Sequence, residues 1–309
     1  MSTMPPRPSH VPVLLEPILE MAAGAHRVVD GTLGHGGHAE ALLVAGAAAV
    51  LGIDRDPEAI AIATERLAGR PFTPLLATYS SGQALDAIGR FEPDFILLDL
   101  GVSSRQLDDT ERGFSFREGA PLDMRMGPDA PTAADWLATV DREELTRVLR
   151  DYADERRPGR MASEILRRRD SRPYQTSDDL VGAIRAVLGP RSGPGEFARV
   201  FQAVRIAVND ELAGLERALP AMREALAAGG SLAVISYHSG EDRLVKHAFR
   251  DWSVGCVCPP AFPRCACGRL PLGEAVPRRA IVASEGEVHS NPRARSARLR
   301  RFRRAPTTR

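Results

Sequence analysis

Asp30-Gly-Thr-Leu-Gly34-His-Gly36-Gly37-His38 follows one apolar run and opens a helical pattern. Glycines let a backbone approach a ligand closely, and a helix amino terminus offers free N–H groups and positive potential. Asp54 ends the next apolar run, where a carboxylate can grip both hydroxyls of a ribose. Together they point to a nucleoside-cofactor site; the plain alternative for the loop is a tight turn that binds nothing. The spacing lacks G-x-G-x-x-G, and an acid at the head of the loop suits a cationic ligand better than a pyrophosphate. S-adenosylmethionine carries a sulfonium, an ammonium and a ribose, and Asp30, Asp54 and Asp99 suit such groups. A nicotinamide cofactor is the second choice. His35 and His38 with Asp30 also read as metal ligands, against which the loop's backbone is already accounted for by a nucleotide. On this reading a valine at Gly36 fills space that the ligand needs.

Two further groups carry chemistry. Cys256-x-Cys258 and Cys265-x-Cys267 stand within twelve residues and offer a tetrahedral thiolate site for structural zinc, against an alternative of buried or free thiols. Basic and acidic residues number 41 and 40, but residues 293–309 hold eight arginines and no acid. The remainder is therefore acidic overall. Arginines 293, 295, 298, 300, 301, 303 and 304 offer phosphate contacts that would position RNA without reading its sequence, so removing residues 293–309 should weaken RNA binding. The alternative is a final strand with a charged face, which Leu299 and Phe302 would support.

These residues need elements to position them. RVVDGTLG, AVLGIDRD, TPLLATYS and DFILLDLGVS read as strands, separated by the helical patterns GHAEALLVAG, PEAIAIATERLAG and SGQALDAIG. That rhythm is the signature of βαβ units on a parallel sheet, and the apolar run of the fourth strand implies burial on both faces. From Ser104 the sequence becomes turn-rich and then helical, in TAADWLATV, REELTRVLRDYADE, RMASEILRRR and TSDDLVGAIRAVLG. The βα rhythm returns with NDELAGLERALPAMREALAA and the strand GSLAVISYHS. Residues 106–200 therefore read as an all-helical domain inserted into a sheet domain of residues 1–105 and 201–309. His238 and Ser239 end the fifth strand, yet adjacent residues there rarely point the same way, which argues against a nucleophilic pair. The uncharged stretches fall short of a membrane span, and the first residues lack a secretory signal. The expectation is a cytoplasmic protein with reduced thiols.

HVPVLL, DGTLGHGGH, GIDRDPEAI, LLDLGVSSRQLDDTERGFSF, PLDMRM, FQAVRIAVNDEL, ISYHSGEDRLVK and NPRARSARLR, running from residue 10 to about 300, resemble the successive signature blocks of one family. It is the bacterial small-subunit (16S) ribosomal RNA (cytosine-N4)-methyltransferase family. The resemblance implies a class I S-adenosylmethionine-dependent methyltransferase fold, α/β with a Rossmann-like parallel sheet and an inserted helical substrate-recognition domain. It also implies methylation of a cytosine N4 in the decoding region of 16S rRNA within the small ribosomal subunit. Carried over by position, the cofactor contacts are Gly36, Gly37 and His38, Asp54 at the ribose, and Tyr79, Asp99 and Gln106 around adenine and methionine. Asp99 is also the candidate catalytic residue, placed between cofactor and target. Two departures stand out: Pro158-Gly159 should break a helix that runs on in the family, and Gly240, where leucine is usual, should loosen a helix start. The competing classes are a nicotinamide oxidoreductase, disfavoured by the missing fingerprint, and an RNA-binding assembly factor without catalysis, disfavoured by the intact Asp54, Asp99 and Gln106. The oligomeric state is left open, a homo-oligomer included.

Overall fold

Runs of consecutive apolar residues build a sheet that is covered on both faces. The computed structural model describes residues 12–102, 109–259 and 266–306, and the chain divides into two units, Met1–Gly101 with Gly214–Arg309, and Val102–Ala213. In the first unit, strands β1 (Arg27–Asp30), β2 (Ala49–Asp54), β3 (Phe72–Leu76), β4 (Phe95–Asp99) and β5 (Ser231–Ser236) pair in parallel in the order β3-β2-β1-β4-β5. Successive side chains of a strand point to opposite faces. Val29, Leu51, Ile96, Leu98 and Val234 accordingly enter one core, which is closed by α4 (Gly82–Phe91), α10 (Glu211–Ala225) and α11 (Ser239–Ser253). Val28, Val50, Phe95, Leu97 and Ile235 enter the other, under α1 (Leu15–Met21), α2 (Gly37–Val44) and α3 (Pro57–Arg66). The expected burial of β4 on both faces is observed.

Beyond β5 the sheet continues in a way that the arginine-rich end conceals. The strand β8 (Arg298–Arg304) pairs antiparallel with β5 on one side and with β6 (Gly273–Ala275) and β7 (Ile281–Val282) on the other. Leu299 and Phe302 are fully buried, and Phe302 meets the rings of Phe249 and Trp252 at centroid distances of 5.7 and 5.2 Å. Arg300 forms a two-pronged, largely buried ion pair with Asp242 on α11, at 2.7 and 3.1 Å. Arg301 donates to the Val276 carbonyl and Arg304 to those of Glu224 and Leu226. The final-strand reading is therefore the one that holds, and several of the arginines hold the strand in place.

The second unit is helical: α5 (Ala133–Thr139), α6 (Arg142–Asp151), α7 (Pro158–Ser171), α8 (Ser177–Leu188) and α9 (Pro194–Val208) surround a core of Leu137, Leu145, Ile165, Ile184, Phe201 and Val204, among others. Its far boundary lies near residue 213 and not at 200, because α9 runs unbroken through that point and buries Phe197, Val200 and Phe201 in the helical core. Pro158 does not break a helix; it begins α7, where its missing N–H is one of the groups left unbonded anyway. Asn209 is buried and clips residues 124–126, accepting from the Met126 N–H at 2.9 Å and donating to the Met124 carbonyl at 2.8 Å. Among the described residues no helix is long and apolar enough to cross a membrane.

Candidate functional site

In an open parallel sheet ligands bind beyond the carboxyl ends of the strands, where the chain's crossovers change direction. Here that point lies between β1 and β4, since β2 and β3 extend the sheet to one side and β5 to the other. Register places three carboxylates along this edge. Asp30 ends β1 opposite Leu97; Asp54 lies two residues beyond Gly52, the partner of Asp30 on β2; and Asp99 lies two beyond Leu97 on β4.

Burial raises all three carboxyls, but their hydrogen bonding differs. Asp30 is 1% exposed. Burial pushes its carboxyl up to about 6, against a lowering by His38 and by the Thr32 N–H that donates to Oδ1 at 3.3 Å. Its Oδ2 is buried and accepts no hydrogen bond from the described residues. A buried carboxylate oxygen without a partner is costly unless the group is neutral or a cation arrives. Asp54 uses both oxygens on the backbone, accepting from Gly34 N–H at 2.8 Å and Asp56 N–H at 2.9 Å, while burial raises it. Asp99 is raised by burial too, yet its side chain keeps 23% of its exposure. Its Oδ1 accepts from the Tyr237 hydroxyl at 2.8 Å, and its backbone N–H donates to Thr32 Oγ1 at 2.6 Å. Oδ2 lies 3.9 Å from His38 Nδ1 and accepts no hydrogen bond from the described residues.

His38, in the first turn of α2, is buried. Its Nε2 lies 3.0 Å from the Val13 carbonyl. A carbonyl only accepts, so Nε2 carries the proton and Nδ1 faces Asp99. Among the described residues, Asp30, His35 and His38 do not bring three ligand atoms within 4.8 Å of one another.

The loop glycines divide into two kinds. Gly36 has φ of 76°, and a Cβ there would sit 3.2 Å from Ala63 Cβ on α3 and 3.3 Å from Leu67 Cδ1 just beyond its end; one at Gly37 would meet Pro12 Cγ at 2.8 Å. Their bare sides make room for protein, which corrects the expectation that a side chain at Gly36 would fill ligand space. Gly34, with φ of 49°, has nothing from the described residues within 4 Å of its would-be Cβ. Gly36→Val is expected to lower the melting temperature by several degrees, because the left-handed backbone alone costs about 1–2 kcal/mol. A thermal scan showing wild-type stability would contradict the packing given for this residue.

Tyr79, half-buried after β3, places its Cβ 3.7 Å from the position a side chain on Gly31 would take. It thus borders the same loop as the three carboxylates. Gln106 lies outside the described residues. Sequence reasoning missed Tyr237, Thr32 and Glu241. Tyr237 follows the last residue of β5 at this edge, beside the His238 that drew attention. Burial and the neighbouring Asp99 hold its phenol far above the ordinary range, so it stays a hydrogen-bond donor. The buried Glu241 accepts from Tyr237 N–H at 2.9 Å and from His238 N–H at 3.3 Å. His238 caps α11, its Nδ1 accepting from Gly240 and Glu241 N–H. This reciprocal cap fastens the helix start that Gly240 was expected to loosen, and it occupies the histidine structurally.

Cys256, Cys258 and Cys267 bring their sulfurs within 4.8 Å of one another; Cys265 lies outside the described residues.

The family model described as the MraW methylase family matches residues 7–305. A protein of Gemmatimonas aurantiaca named ribosomal RNA small subunit methyltransferase H is 60% identical over 306 residues, covering 96% of this chain and 95% of its own. One of the same name from Heliobacterium modesticaldum is 46% identical over 303 residues, covering 94% and 97%. Among solved structures, an rRNA methylase from Streptococcus thermophilus aligns with 94% of this chain and 93% of its own, at 10% identity and a TM-score of 0.42.

Proposed function

Because the chain belongs to the MraW methylase family, we infer that it is an S-adenosylmethionine-dependent methyltransferase acting on the exocyclic N4 amine of a cytosine in small-subunit ribosomal RNA. The observation that carries the cofactor reading is the acidic row at the sheet's switch point, with the unpartnered Oδ2 of Asp30 within it. A donor set of three carboxylates suits a ligand bearing positive charge and sugar hydroxyls, and repels a pyrophosphate. Gly34, Gly36, Gly37 and His38 would border that ligand along the loop, Asp54 its ribose, and Tyr79, Asp99 and Gln106 its adenine and methionine parts. When bound, the cofactor supplies an electrophilic methyl group on sulfur.

The cytosine amine is a poor nucleophile, because its lone pair is delocalised into the ring. The protein's task is therefore to orient the amine, accept its hydrogen bond and exclude water. We assign that acceptor to Asp99. Tyr237 fixes one of its oxygens and leaves Oδ2 for the amine. Proton loss follows attack, so a carboxylate that accepts a hydrogen bond is sufficient and a strong base is not required. The helical unit, residues 102–213, is proposed as the part that recognises RNA, within a small subunit in the cytoplasm.

The test is methyl transfer to small subunits from cells lacking the enzyme, followed by nucleoside mass spectrometry of the digested RNA. N4-methylcytosine is expected; methyl groups found only on carbon 5 or on ribose would overturn the amine chemistry.

Cofactor binding should depend on pH through Asp30. Its carboxyl, at about 6 in the folded protein against 3.8 ordinarily, holds a proton that the unfolded chain has already lost between these values. Stability of the free protein therefore declines as pH rises across that window, and the cost is complete above about pH 6. A cationic ligand favours the ionised form, so binding releases a proton below about pH 6 and affinity climbs between about pH 5 and 7. Calorimetry in buffers of differing ionisation enthalpy should show that release, and Asp30→Asn should abolish it. Proton release unchanged in that variant would remove Asp30 from the cofactor's surroundings.

A further inference from the structure

We propose that Cys256, Cys258 and Cys267 form a zinc site that staples the loop between α11 and β6, apart from the carboxylate row. Each of the three thiols offers one sulfur, all within 4.8 Å of one another, and Cys267 Sγ lies 3.8 Å from Cys256 Sγ. Sulfurs around a tetrahedral zinc, each about 2.3 Å from the metal, stand just under 4 Å apart. A small contraction of this cluster reaches that spacing.

The backbone is already arranged for thiolates. The Cys258 N–H points to Cys256 Sγ at 3.4 Å, and the Ala266 N–H points to Cys258 Sγ at 3.3 Å. Such N–H donors stabilise negative charge on sulfur and orient the metal's ligands. Three soft thiolate donors select zinc over magnesium, calcium or manganese. A fourth donor, from protein or solvent, completes the tetrahedron.

The loop also needs a fastening that its composition does not supply. Of the seven large apolar side chains exposed among the described residues, four lie on this loop: Val254, Val257, Leu270 and Leu272. These four bury little surface and give the described part of the loop no hydrophobic core. At its base the ends are tied, Leu272 N–H donating to the Trp252 carbonyl at 2.9 Å and Arg269 to the Asp251 carbonyl at 2.7 Å. Above that base, the thiol cluster is the cross-brace. A metal there closes the loop in the manner of small metal-stabilised modules.

Native mass spectrometry and elemental analysis of full-length protein purified without chelator should find about one zinc per chain, and X-ray absorption three or four sulfur ligands. Cys256→Ser and Cys267→Ser should each lose the metal while keeping cofactor affinity within about twofold, since neither residue belongs to the carboxylate edge. Chelator treatment of the wild type should speed trypsin cleavage after Arg269 several-fold, and added zinc should restore protection. Should the serine variants fail to fold, the chelation and X-ray absorption measurements on the wild type still decide. Metal-free protein with unchanged protease resistance, a Cys256–Cys267 disulfide, fewer than three sulfur ligands, or zinc retained in a folded serine variant would each overturn the proposal.

Discussion

Asp99→Ala is expected to lower kcat for methyl transfer by about 10²- to 10³-fold, the usual loss when a positioned polar group at a reacting centre is removed. Cofactor affinity should change much less, by about tenfold or under, because Asp30 and Asp54 remain. The reasoning rests on what is left available at the edge. Each oxygen of Asp54 already accepts one backbone N–H and keeps a lone pair for a ribose hydroxyl, while Asp30 lies buried beneath the edge, where it meets the cofactor's charge and not an incoming amine. Asp99 is held at one oxygen by Tyr237 and keeps partial exposure. Tyr237→Phe preserves the carboxylate but releases its orientation, and should cost about tenfold in kcat. Single-turnover rates with saturating cofactor separate chemistry from binding. An Asp99→Ala enzyme with near-normal kcat would leave the acceptor role without a residue.

Deleting residues 293–309 is expected to leave a chain with no cooperative thermal transition. The arginine-rich end invites the view that it is a tail and that its loss would only weaken RNA binding, but β8 lies between β5 and β6. Its removal strips Leu299 and Phe302 from two cores and unpairs all of β5 along one side. Replacing a buried phenylalanine such as Phe302 by alanine alone costs about 3–5 kcal/mol. Losing the whole strand exceeds the roughly 5–15 kcal/mol by which a domain is stable. Circular dichroism melting of the truncated protein checks this, and a retained sharp transition near the wild-type temperature would show β8 to be dispensable. RNA contact must instead be tested at arginines that the fold leaves exposed. Arg295, Arg298 and Arg303 are exposed, and their combined replacement by alanine should keep the fold. It should also flatten the salt dependence of RNA binding by about 0.7 to 0.9 for each phosphate that is no longer neutralised. An unchanged slope would move the RNA surface away from this end of the chain.

The sequence alone determined the parts whose signals are local. Short continuous apolar runs alternating with helical stretches placed β1 to β5 and α2 to α4, because the strands of a parallel sheet covered on both faces are apolar on both sides. A glycine-rich turn after a strand, with aspartates ending three strands that prove adjacent, pointed to the carboxyl edge at the switch point, which is the edge proposed for the cofactor. The insertion was legible as a run of helices without strand pattern. Tertiary structure decided what depends on partners distant in the chain. Arg298–Arg304 reads as solvated charge until β5 supplies a neighbour 62 residues or more away; only Leu299 and Phe302 hint at the strand, and their spacing of three does not alternate. Gly36 looked like room for a ligand, and α3 turned out to fill that room. Tyr237 carried no motif signal, and gained its place only when β4 and β5 paired and brought Asp99 within 2.8 Å of its hydroxyl. Pro158 looked like a helix breaker because its position within the helix, first turn or interior, is set by where the preceding chain turns. A residue's type and near neighbours restrict its own conformation, whereas its contacts across the fold follow from strand pairing and helix packing, which no local window contains.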